Sequence, residues 1–140
     1  TMSLNRLRPH YYFNDFGHYT EQFGVGLAIS ELLVQSVGDV IRVFPALAPG
    51  CRAVCEDLRT QGGFLVSAKG RGGAVEAVKV NSTVGGPLRL LTPWPLIEVK
   101  REEHGQYQPL VPDKNGIIEM PTKPGETVTF RPRKSKRTQN

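Results

Sequence analysis

The sequence predicts a mainly β protein: an antiparallel β-sandwich of about eight strands with one N-terminal helix. Three observations lead there. The hydrophobic period changes from 3.6 to 2 at Asp39 and does not change back. Eight short apolar runs follow, each bounded by turn-forming residues. Fifteen glycines and eleven prolines in 140 residues supply that punctuation, and such a frequency suits many short elements. With 39% hydrophobic and 22% charged residues, the chain can bury a core and is not disordered throughout.

The elements follow in order. Residues 1–19 read as an extended, aperiodic arm carrying Tyr11, Tyr12, Phe13 and Phe16 between Pro9 and Gly17. Its rings either pack on a neighbour or offer flat faces to a sugar. Thr1-Met2-Ser3-Leu4 reads as an expression start, and no basic stretch followed by an apolar core marks a signal peptide. Residues 20–38 form a helix, centred on 24–36. Val25, Ile29, Leu32, Leu33 and Ser36 make its stripe, and Leu27, Ala28 and Val34 widen it almost all the way round. Thr20 is placed to cap the N-terminus, Glu21 suits the first turn, and Gly38 stops the C-terminus. Gly24 and Gly26 weaken the helix by roughly 1 kcal/mol each against alanine, which points to a close backbone approach. A helix apolar on nearly every side asks for more protein around it than a small sandwich offers.

The strands are expected at 40–44, 53–60, 64–70, 75–81, 88–92, 96–100, 116–120 and 127–131, giving a sandwich over 39–131. In the first of them Val40, Arg42 and Phe44 share one face and Ile41 and Val43 the other, so cover is expected on both sides. The segment Gly70-Arg71-Gly72-Gly73 is the strongest hairpin signal. Residues 132–140 are a basic tail. The last ten residues hold five of the 18 basic residues and no acid, leaving 13 basic against 13 acidic elsewhere. The net charge of +5 is therefore a property of the tail, which reads as solvated or as a contact for an acidic partner, not as a nucleic-acid domain. No apolar run approaches the roughly 20 residues of a membrane helix.

Common chemical signatures are missing. Glu56-Asp57 and Glu102-Glu103 are adjacent pairs, which a regular strand points to opposite faces. The sequence contains no Gly-x-Ser-x-Gly elbow, HExxH or phosphate-binding glycine loop. His10, His18 and His104 are scattered, so no metal site and no cofactor is expected. Cys51 and Cys55 lie on one face of an extended segment, about 13 Å apart by strand rise, which is too far to bridge and reads as two reduced thiols. Two aromatics stand out as sugar platforms: Trp94, between Pro93 and Pro95, and Tyr107. Burial as a core plug is the other use of Trp94.

The stretch QFGVGLAISELLVQSVGDVIRVFPAL (22–47), followed by LRTQGGFLVSAKGRGGAVEAVKVNSTVGGPLRL (58–90), is similar to the C-terminal part of glycoside hydrolase family 95 proteins, α-L-fucosidases and their relatives. The likeness rests on Phe23-Gly24, Glu31, Leu33, Gln35-Ser36, Ile41, Pro45-Ala46-Leu47, Gly62-Gly63-Phe64 and Gly85-Gly86-Pro87, in order and at similar spacing, over about residues 20–100. The resemblance implies an (α/α)6 barrel that carries the active site and whose last helix, here 20–38, leads into an accessory β-sandwich. It also implies a catalytic aspartate three positions before the Phe of an Asn-Phe-Gly motif. Here Thr20 stands at that position and Gln22 at the Asn. A threonine cannot act as a carboxylate base, so Glu21 is the one weak catalytic candidate. The reading is a noncatalytic domain that packs on and stabilises its barrel and is inactive alone. A carbohydrate-binding module and a basic-tailed interaction domain are the alternatives. A helix without its barrel is expected to be covered, either by the aromatic arm folding back over it or, as the favoured solution, by a second copy in a homodimer.

Overall fold

The computed structural model describes residues 16–134, with side chains from Phe23 onward. Most of the expected aromatic arm, the end of the basic tail and the Glu21 side chain lie outside what is described. Two compact units are present, one ending at Glu31 and one beginning at Leu32.

Helix α1 is Phe16–Leu33, of which the residues up to Glu31 belong to the first unit. It starts four residues ahead of Thr20, which therefore lies inside the helix and is not its cap. No proline stands between Pro9 and Pro45, so nothing in the backbone chemistry forces a later start. Residues 16–19 are helical where an extended arm was expected. Phe23, Val25, Leu27, Ile29 and Leu32 are 54–75% exposed. A Cβ built on Gly24 or Gly26 meets nothing within 4 Å, so the close approach inferred from these glycines has no counterpart among the described residues.

The helix ends at Leu33 and not at Gly38. Strand β1 (Val34–Val37) begins immediately and pairs antiparallel with β2 (Val40–Val43), matching Val37 to Val40. Gly38 and Asp39, at φ of 59° and 61°, form the two-residue turn between them, the type I′ geometry that matches strand twist. The helical stripe ran through Val34 and Ser36, but β-branched valines with a partner strand at hand favour the hairpin.

The second unit is a mainly β sandwich of two sheets, as the sequence predicted. The remaining strands are β3 (Arg52–Thr60), β4 (Phe64–Arg71), β5 (Ala74–Ser82), β6 (Gly86–Leu91), β7 (Ile97–Arg101), β8 (Tyr107–Leu110), β9 (Ile117–Thr122) and β10 (Glu126–Pro132). One sheet has the order β1-β2-β6-β9 and the other β3-β4-β5-β10-β7-β8. Pairing is antiparallel throughout, except where Ile41 of β2 meets Leu90 of β6 in parallel. Beyond the eight expected strands, β1 comes from the presumed helix and β8 from a presumed loop. Because β8 is an edge strand, it tolerates Pro109, which has no N–H to donate.

Alternation places Phe64, Val66, Val78, Val80, Val128 and Phe130 of one sheet against Ile41, Leu88, Leu90, Ile118 and Met120 of the other. In β2, Val40, Ile41 and Val43 are buried but Arg42 is exposed, so the cover on the Arg42 face is partial. Phe44, at φ 48°, folds under the sandwich and is buried. Its backbone N–H donates to the Leu33 carbonyl at 2.8 Å.

One end of the sandwich is closed by a buried polar clamp. The Thr122 hydroxyl of β9 donates to the Gly86 carbonyl at 2.7 Å and shares a 2.9 Å hydrogen bond with the Ser82 hydroxyl of β5. Beside it, the buried Glu126 carboxylate accepts from the Lys123 N–H at 2.8 Å and from the Arg101 guanidinium, which also donates to the Pro121 carbonyl at 3.0 Å. Gly85, at φ 79°, passes so close to this turn that a Cβ on it would lie 2.8 Å from Pro124 Cδ.

Candidate functional site

Because the inner faces of both sheets form the core, polar chemistry collects on the outer face of the six-stranded sheet. Cross-strand register lines up Ser67, Lys79, Thr129, Lys100 and Tyr107 across β4, β5, β10, β7 and β8. Residues directly opposite each other across an antiparallel pair have Cβ atoms about 4.5–5.5 Å apart, so this row is continuous.

At the β8 end, the Arg131 guanidinium lies 3.5 Å from the centroid of the Tyr107 ring, with Lys100 Nζ at 5.9 Å. Glu98 fixes Arg131 by accepting from Nε at 3.0 Å and approaching Nη2 at 2.9 Å. One face of Tyr107 is therefore already covered by a cation. Trp94 is elsewhere. Its indole packs against the core and its Nε1–H donates to the Val75 carbonyl at 2.8 Å, which fixes both its apolar body and its polar edge. Beside it is a cavity of about 550 Å³ lined mainly by Phe44, Leu47, Pro45, Pro93 and Pro132. The structure thus does not bring Trp94 and Tyr107 together as a platform.

At the β3 end, register shifts between Cys55 and Leu58. This β-bulge inserts an extra residue and re-aims its neighbours. Asp57 takes φ 50° there. It is held by Ser67, whose Oγ accepts from the Asp57 N–H at 3.0 Å and donates to Asp57 Oδ1 at 3.2 Å. As a result Glu56 and Asp57 do not diverge as a regular strand would require. Both line one open cleft of about 490 Å³, together with Val54, Ser67, Lys69, Ala77 and Lys79. Sequence reasoning missed this cleft, since the bulge depends on pairing with β4. The one available signal was the adjacent acidic pair inside an otherwise apolar run. The cleft offers carboxylate acceptors, of which Asp57 is held in place, and two ammonium donors, and no imidazole lines it.

Cys51 is exposed in the turn before β3, whereas Cys55 is buried within it, so the two do not share the extended face expected of them. Burial pushes the Cys55 thiol pKa up, against a lesser lowering from its hydrogen bond with the Ala68 backbone. Among the described residues no three His, Cys, Asp or Glu gather as metal ligands, and no helix is long and apolar enough to cross a membrane. No family model matches the chain, and no curated protein matches it significantly.

Proposed function

We propose that this chain is the noncatalytic C-terminal β-domain of a family 95-like glycoside hydrolase, which packs on and stabilises the catalytic helical barrel. The observation that carries this reading is α1. Its apolar residues Phe23, Val25, Leu27 and Ile29 point in several directions and are all more than half exposed. Burying each fully is worth roughly 1.5–3 kcal/mol, and a helix apolar all round belongs inside a larger helical assembly. The ordered likeness over residues 20–100 supports an (α/α)6 barrel as that assembly. With Thr20 where a carboxylate is expected, catalysis falls to residues elsewhere in the parent protein.

Three observations test it. The gene should encode a barrel-length helical region upstream of residue 20. In the whole protein, Leu27→Glu and Ile29→Glu should lower the melting temperature of the barrel, while the 140-residue chain alone should not turn over aryl α-fucosides or α-galactosides. Turnover by the isolated chain, abolished by Glu21→Gln, would overturn the reading.

A further inference from the structure

We infer that the cleft beside the β3 bulge binds an acidic sugar of the uronic acid class. Its volume of about 490 Å³ lies within the ~300–1,000 Å³ typical of small-ligand sites. One side of it is cationic. Lys69 is flanked across the sheet by Val54 and Ala77, and Lys79 by Ser67 and Thr129, so neither has a carboxylate directly opposite it on a neighbouring strand. Among the described residues neither forms an ion pair, whereas Arg71 and Arg131 on the same sheet pair with Glu76 and Glu98. Lys69 and Lys79 therefore offer two adjacent ammonium donors to an anion, although Glu56 and Asp57 of the same cleft balance their charge overall.

The other side of the cleft is an acceptor wall. Asp57 is pinned by Ser67 through Oδ1, and among the described residues its Oδ2 has no protein partner. The exposed Glu56 stands next to it. Carboxylates accept hydrogen bonds and cannot donate them, so the ligand must bring donors, and neighbouring hydroxyls on a sugar ring supply them. On either side of Lys69, Val54 and Ala77 give a small apolar surface suited to the C–H face of the ring. Inorganic phosphate would satisfy the lysines but meet repulsion from Asp57 and Glu56. A neutral sugar would leave the lysines unmatched. A sugar carboxylate satisfies both sides, its carboxylate group set on the lysines and its hydroxyls donating to Asp57 and Glu56. This site lies wholly in the sandwich and does not rest on the proposed packing role, so a negative titration leaves that role untouched.

The test is a 15N–1H correlation titration of this chain with digalacturonate, with the uncharged disaccharide and inorganic phosphate as separate arms. Saturable shifts are expected at Asp57, Ser67, Lys69 and Lys79 with digalacturonate alone. Lys79→Met should weaken binding about tenfold, as loss of one charge-assisted hydrogen bond does, and Asp57→Asn should weaken it about threefold to tenfold. If Lys79→Met loses spectral dispersion, Lys79→Gln serves in its place. No saturation with digalacturonate, equal affinity for the neutral sugar, displacement by equimolar phosphate, or binding unchanged in the lysine variant would each overturn the inference.

Discussion

Replacing Glu126 by glutamine removes one negative charge from the closed end of the sandwich and almost nothing else. The residue is 5% exposed, and its carboxylate accepts from the Lys123 backbone and the Arg101 guanidinium. Glutamine keeps one oxygen for the Lys123 N–H but loses the charge-assisted bond to Arg101. A hydrogen bond to a charged group is worth about 1.5–3 kcal/mol. Arg101 remains 27% exposed and retains the Pro121 carbonyl, so water and that bond offset part of the loss. The expected cost of Glu126→Gln is about 2 kcal/mol. At about 4 °C per kcal/mol for a domain of this size, that is a fall of about 8 °C in melting temperature. Arg101→Met strands a buried carboxylate and should cost more, about 3–5 kcal/mol. The double variant should cost less than the two together, because each single change already breaks the shared bond.

Acid should erase the difference. Burial of Glu126 opposes its ionisation, but the hydrogen bonds from Lys123 and Arg101 and the positive charge of both outweigh it and hold its pKa below the ordinary value. The unfolded chain therefore binds this proton more readily than the native one, and stability rises with pH through that window. The contribution is fully present above the unfolded value near ~4.3 and is lost as pH falls through the lower folded value. Urea unfolding at pH 7 should separate wild type from Glu126→Gln by the full amount, and the gap should narrow steadily below pH 4. Additive single variants, or a gap that widens in acid, would refute the reasoning.

Three further outcomes are expected. Gly85→Ala should destabilise by about 2 kcal/mol or more, since it adds left-handed strain to a Cβ lying 2.8 Å from Pro124 Cδ. Gly72→Ala, at φ 62° in open space, should cost only about 1 kcal/mol, and urea melts compare the two. In the native protein a thiol reagent should label Cys51 promptly and Cys55 only on unfolding, because one is exposed and the other buried with a raised pKa; mass spectrometry of the labelled peptides reads this directly. The isolated chain should sediment as a dimer at micromolar concentration and as a monomer when Ile29 is changed to Glu, whereas Leu33→Glu should unfold the sandwich, because Leu33 packs on its core.

Local chemistry was enough to read most of the strands from the amino-acid order. The alternation of β4, β5 and β10 puts Val66, Val78, Val80, Val128 and Phe130 in the core, and strand period 2 depends only on neighbouring residues. The turn residues were equally legible, since a positive φ at Gly72 and Gly73 needs glycine wherever the hairpin sits. The apolar surround of α1 was also visible as a pattern. Tertiary structure decided the rest. Whether Val34–Val37 is helix or strand depends on β2 lying opposite, because its residues fit both periods. The packing of Trp94 against the core is fixed by a carbonyl nineteen positions earlier in the chain. The cleft exists because β3 slips by a residue against β4 and brings Glu56 and Asp57 into one lining with Lys69 and Lys79. Register is a relation between strands, and no single strand's sequence contains it.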